Sequence, residues 1–182
     1  MGDIMHYLYN SYVSGDYGKA MSELSKGESG ACLVTSQSKA VNLEALIKME
    51  KEILSCTGNP HSCDAWYIGH EDEIYYLFEF KGGTFNFNEQ AVKCPHCSSN
   101  FKLKSKSSSK HEILLKCTES LLFVLKLMNE TIDFSRQNIK FVLVVEDGSP
   151  LVEIHRHATK RANMPFIPEE ISRLNKMYFK EA

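Results

Sequence analysis

The sequence has no apolar run long enough to cross a membrane. Its opening residues, MGDIMHYLYNSYVSGDY, lack the basic start, the long apolar stretch and the small-residue cleavage site of a secretory leader. Gly2 follows Met1, but position 6 is His where a myristoylation signal needs Ser or Thr. Neither charge is in excess. A formal net charge of -2 excludes a globally basic nucleic-acid binder and a disordered acidic tail, so any nucleic-acid contact must come from a local patch. There is no internal repeat, and the one C-x-x-C has no second copy. These absences lead us to expect a cytoplasmic, non-membrane protein in which the six cysteines are reduced thiols or metal ligands rather than disulfides.

What is present suits a folded core. A chain of 182 residues with 43% apolar residues is long enough for one domain without covalent staples. The tyrosine-rich segment 3–25, interrupted by Gly15 and Gly18, reads as broken helix, and residues 31–35 as a short strand. Leu43, Leu46, Ile47, Ile53 and Leu54 recur at helical spacing, which predicts a helix over 42–56 with Asn42 as N-cap. Two β-rich runs, 63–69 and 73–81, are separated by only three residues and read as a hairpin. Residues 84–110 hold Cys-Pro-His-Cys and a lysine-serine tract, and read as an inserted mobile loop. A buried helix over 111–128 and a sheet strand over 139–145 follow, then a weaker strand at 151–154 and a terminal helix over 168–180 with Pro168 near its start. The expected fold is α/β, a central mixed sheet flanked by helices. Its core spans about 31–146 within a single domain, and 147–182 form a C-terminal extension.

Within this frame a few polar residues stand out. Along a strand, side chains alternate faces, so Glu79 and Lys81 point one way while Phe78 and Phe80 point the other. A hairpin folded about residues 70–72 brings Asp64 near both. Glu50 falls on the apolar stripe of the 42–56 helix. A buried acid there is costly unless it is paired or binds a metal, and the Asp64, Glu79 and Lys81 group offers that outlet. Trp66 alternates with Asp64 and reads as a core residue.

This constellation resembles the PD-(D/E)xK nuclease superfamily, in which an Asp opens one strand and Glu-x-Lys ends the next. Here those residues are Asp64, Glu79 and Lys81, with fourteen residues between the acids. The resemblance covers roughly residues 41–146 and implies a restriction-endonuclease-like core. It gives Glu50 the part of the glutamate that many members supply from the preceding helix. It also matches Lys116 and Ser120 to a Lys-x-x-x-Ser helix seen in uncharacterised bacterial members. Cys63, where the family has Pro, departs from the pattern, and the usual first core strand would have to be residues 31–35. The implied activity is phosphodiester cleavage of DNA or RNA. Asp64, Glu79 and Glu50 would hold Mg²⁺ or Mn²⁺, which prefer hard oxygen ligands, and Lys81 would position water. The alternative is a catalytically silent module of the same fold that binds nucleic acid or a protein.

The remaining motifs concern metal and partners. Cys94 and Cys97 form a zinc-type knuckle that is only half a site. Cys56 and Cys63, or His61 in place of one of them, are the candidates for the other half of a structural zinc site; the alternatives are a redox dithiol or unliganded thiols. Lys102, Lys104, Lys106 and Lys110 form a local cationic stretch that reads equally as a phosphate-binding track or a solvated loop. Lys116 and Ser120 join it as nucleic-acid-binding candidates. A second basic cluster runs from His155 to Arg161. Tyr7, Tyr9 and Tyr12 are candidates either for a homodimer interface or for the core.

Overall fold

The computed structural model describes residues 2–26, 30–54, 58, 60–69, 73–82, 90–93, 100–103, 110–145, 147 and 167–170. In chain order these form α1 (Gly2–Ser14), β1 (Gly18–Ala20), α2 (Met21–Leu24), β2 (Lys39–Asn42) and α3 (Leu43–Met49). A 3₁₀ turn at Lys51–Leu54, β3 (Ala65–Ile68), β4 (Tyr75–Lys81), β5 (Gln90–Lys93) and β6 (Asn100–Leu103) follow. The described chain ends with α4 (Lys110–Met128), α5 (Ile132–Asn138), β7 (Ile139–Val145) and β8 (Ile167–Glu170). The architecture is α/β, a six-stranded mixed sheet in the order β1-β2-β3-β4-β7-β8 with helices packed on it. β1 to β4 are antiparallel neighbours, while β7 runs parallel to β4 and β8 parallel to β7.

β4 is the centre of the sheet. Its sequence YYLFEFK is aromatic-rich, which suits a strand covered on both faces, and all of it but Lys81 is buried. Tyr75 and Leu77 face a core layer shared with Tyr9 of α1, Leu43, Leu46 and Ile47 of α3, and Ile113, Cys117, Phe123 and Val124 of α4. Tyr76, Phe78 and Phe80 face the opposite layer with Met21, Val34 and Tyr67. Trp66 is fully buried in the first layer and meets Tyr9 edge-on at 5.2 Å, which gives both residues core roles. Burying such a side chain contributes roughly 2–3 kcal/mol. Tyr7, by contrast, is exposed.

The hairpin pairs Ala65 with Phe78 and Ile68 with Tyr75, and closes with the Gly69 N–H donating to Ile74 O at 2.9 Å, as the two-run pattern predicts. Elsewhere the structure corrects the reading. The segment 3–25 is a continuous helix followed by a turn, a strand and a short helix. Gly18 lies so close to the Val13 carbonyl that a Cβ would overlap it. The strand beside the hairpin is β2, not residues 31–35, since Val41 pairs with Trp66. Residues 33–38 direct their backbone groups elsewhere: Val34 N–H donates to Ser25 Oγ at 3.1 Å, and Ser36 O and Ser38 O accept from the first amides of α2. No ladder forms there.

The helix after β2 starts as expected, with Asn42 Oδ1 accepting from Ala45 N–H at 3.0 Å, but it stops at Met49. Ile53 and Leu54 reach the core from the 3₁₀ turn. Residues 84–110 are not a simple loop, because β5 and β6 pair as a separate two-stranded ribbon. Pro168 lies in β8, the last strand of the sheet, where a missing N–H is tolerated, and not at a helix start. The sheet therefore reaches beyond 31–146 at both ends. Residues 151–154 and 171–180 lie outside the described residues. Among the described residues no helix is long and apolar enough to cross a membrane.

Candidate functional site

Asp64 stands immediately before β3, and its backbone ties the strand ends together: its N–H donates to Phe78 O at 2.9 Å, and its C=O accepts from Leu43 N–H. Its side chain turns back on the same hairpin, Oδ2 accepting from Phe80 N–H at 2.7 Å. Strand alternation sends Glu79 and Lys81 to the face covered by α4, and Lys81 Nζ reaches Glu79 Oε1 at 2.9 Å. From α4, Lys116 Nζ reaches the same oxygen at 2.7 Å. Glu79 is 2% exposed, and its second oxygen, Oε2, is buried with no hydrogen-bond partner among the described residues. Two acids and two lysines thus meet between the hairpin and one turn of α4.

The electrostatics are uneven. Burial, and next the Glu79 charge, push the Asp64 carboxyl from an ordinary 3.8 up to about 7; the Phe80 N–H, Lys116 and Lys81 act against the shift. Burial alone would lower the Lys116 ammonium. The charge and hydrogen bond of Glu79, with Asp64 behind it, outweigh that and raise it. Lys116 therefore stays charged and Glu79 has a permanent counter-ion, while Asp64 holds a proton near neutrality unless a cation joins it. Hard carboxylate oxygens, one of them buried without a donor, fit a divalent cation such as Mg²⁺ or Mn²⁺. Among the described residues no group of three or more His, Cys, Asp or Glu side chains is placed to hold a metal, so the candidate site rests on the Asp64 and Glu79 pair.

Glu50 is not part of it. It is the C-cap of α3, its N–H donates to Leu46 O at 2.9 Å, and its side chain is exposed. Its charge is felt by Tyr12 of α1, whose phenol is raised first by burial and then by Glu50. The apolar spacing over 42–56 misleads because an α-helix ending at Met49 and a following 3₁₀ turn together mimic one continuous stripe.

α4 contributes more than the spacing suggests. Ser120, one turn beyond Lys116, is fully buried and accepts from Cys63 N–H at 2.8 Å. It cannot touch nucleic acid and instead anchors the residue before Asp64. Glu119, which sequence reasoning missed, accepts from His61 N–H and lies 3.3 Å from His61 Nδ1. Only its position three residues after Lys116, on the same turn, could have pointed to it. Cys63, the zinc candidate before Asp64, packs against α4. It is fully buried, and its thiol is pushed well above the ordinary range by a hydrogen bond with Cys117, then by burial and by the Cys117 and Glu79 charges, against Ser120.

Cys56, Cys94, Cys97, Lys104 and Lys106 lie outside the described residues, as does the basic cluster at 155–161. Lys102 lies on β6, paired with Ala91, and Lys110 opens α4. In comparisons with known proteins, no family model, curated protein or solved structure matches the chain.

Proposed function

We propose that the chain is a Mg²⁺- or Mn²⁺-dependent nuclease on a restriction-endonuclease-like core, cleaving phosphodiester bonds of DNA or RNA. The observation that carries this reading is Glu79 Oε2, a carboxylate oxygen buried without a donor among the described residues, on a side chain whose negative charge, after burial, helps hold the Asp64 carboxyl above its ordinary range. A divalent cation would satisfy that oxygen and draw the proton from Asp64. The strand order supports the reading too. The Asp64 strand lies antiparallel to the Glu-x-Lys strand, and a helix carrying Lys116 and Ser120 leads on to a strand parallel to the latter.

In this reading Asp64 and Glu79 hold the cation, which when bound supplies the positive charge that polarises the phosphate and activates water. Lys81, at the end of the strand, orients water or balances developing charge on the substrate. Lys116 pairs with Glu79 Oε1 and holds that carboxylate in place.

One observation favours a second reading, a module of the same fold that binds nucleic acid or protein without cleaving it. With Glu50 exposed, two carboxylates stand where the resemblance implies three. The experiment that separates the two incubates wild type and Asp64→Ala with single- and double-stranded DNA and RNA, with and without Mg²⁺ or Mn²⁺. We expect metal-dependent cleavage by wild type and a loss on the order of 10³-fold in the variant. Cleavage that survives the substitution, or binding without cleavage by wild type, rejects the enzyme.

A further inference from the structure

One turn of α4 touches both halves of the candidate site. Lys116 holds Glu79, and the residues around it hold the segment that delivers Asp64. Glu119 accepts the His61 amide, Cys117 meets the Cys63 thiol, and Ser120 accepts the Cys63 amide at 2.8 Å. Asp64 follows these anchors directly. Its own backbone is tied to β4 and to the start of α3, through Phe78 O and Leu43 N. Of these three anchors, Glu119 reaches furthest upstream and is the charged one. Its carboxylate is partly exposed, 31%, and the same Oε2 that takes the His61 amide lies 3.3 Å from the His61 ring.

From this geometry we infer that Glu119 is a positioning residue of the site: by fixing the backbone at His61 it sets where the Asp64 carboxylate stands relative to Glu79. Without this anchor the hydrogen bond that remains from α4 to this segment, among the described residues, is the one at Cys63, and the backbone at His61 gains freedom. The charge-assisted bond from an amide to a carboxylate is stronger than one between neutral groups, which suits a single anchor at the outer end of a connecting segment. The inference rests on the proposed metal site, because placing two acids together serves a cation and otherwise brings repulsion.

The test compares wild type, Glu119→Ala, Glu119→Gln and Asp64→Ala. Mn²⁺ affinity is measured by titration calorimetry, and amide hydrogen exchange over residues 60–66 is followed on the same samples. Glutamine keeps an acceptor oxygen for the His61 amide and removes the charge. We expect Glu119→Ala to weaken Mn²⁺ binding roughly 10–100-fold, the range seen when residues that orient metal ligands are removed, and to speed exchange at 61–64. Glu119→Gln should recover most of both. If Glu119→Ala binds Mn²⁺ as wild type does, or if Glu119→Gln is as impaired as Glu119→Ala in both measurements, the positioning role is overturned. Wild type that binds no Mn²⁺, or binds it equally after Asp64→Ala, overturns the metal reading. The exchange data then decide the anchor separately, since unchanged exchange at 61–64 in Glu119→Ala removes it as well.

Discussion

α3 and α4 pack into the same core layer, yet among the described residues α4 brings a side chain to the acids, through Lys116, while α3 meets Asp64 through the Leu43 amide. α3 is seven residues long and ends one residue before the acid that its spacing assigns to the apolar stripe. α4 runs unbroken for 19 residues, so Ile113, Cys117, Ser120 and Val124 keep to the buried side of one helix, and Lys116, beside Cys117, is brought to Glu79. The contrast shows that the phase of a side chain on a helix is secure only while the helix continues. A change from α to 3₁₀ geometry rotates everything beyond it.

Three substitutions test this contrast between the helices. Lys116→Met removes one of the two ammonium groups on Glu79 Oε1 and leaves a 2% exposed carboxylate with Lys81 alone. Breaking a buried ion pair from one side costs about 3–5 kcal/mol, and the remaining lysine reduces that, so a loss of roughly 2–3 kcal/mol in urea unfolding is expected. A loss below about 0.5 kcal/mol would mean that α4 contributes packing and not charge.

Asp64→Asn has a smaller effect of opposite sign. The folded carboxyl is raised from 3.8 to about 7, so between those values the unfolded chain has released a proton that the folded chain keeps. Stability therefore falls as pH rises through that window and levels off above it. Asparagine does not ionise and still accepts the Phe80 N–H. The variant should match wild type near pH 3.5 and be more stable by roughly 2 kcal/mol at pH 8 in metal-free buffer, as measured by thermal unfolding. Equal stability at both pH values would show that Asp64 is solvated in the protein. The smallest effect belongs to Glu50→Ala, which should change stability by less than about 0.5 kcal/mol and leave Mn²⁺ affinity within about twofold of wild type, because the side chain is exposed away from the acids. A large loss of affinity would return Glu50 to the site.

How much of this is legible in the sequence depends on the range of the interaction. The hairpin is read correctly because its signals are local: two β-rich runs, three residues between them, and a period of two that separates Glu79 and Lys81 from Phe78 and Phe80. Asn42 as N-cap is equally local, since its partner is Ala45. The seven-residue α5 and the four-residue β8 are missed because such short segments carry little periodicity, and Pro168 in a strand resembles Pro at a helix start. The 31–35 run fails for a different reason. Its apolar residues are real core members in the case of Val34, but Ser25, the C-cap of α2, takes the Leu33 N–H on its carbonyl and the Val34 N–H on its hydroxyl, bonds that a strand would need.

The sequence alone determined the hairpin, the face on which Glu79 and Lys81 stand, and the long helix with Lys116 and Ser120 one turn apart, because each follows from backbone geometry over a few neighbouring residues. Only the tertiary structure decided which groups meet Asp64 and Glu79. Contacts such as Lys116 with Glu79, Ser120 with Cys63 and Glu119 with His61 join residues 37 to 58 positions apart. No local pattern encodes such a meeting; it is set by how α4 settles on the sheet as the apolar side chains around it leave water.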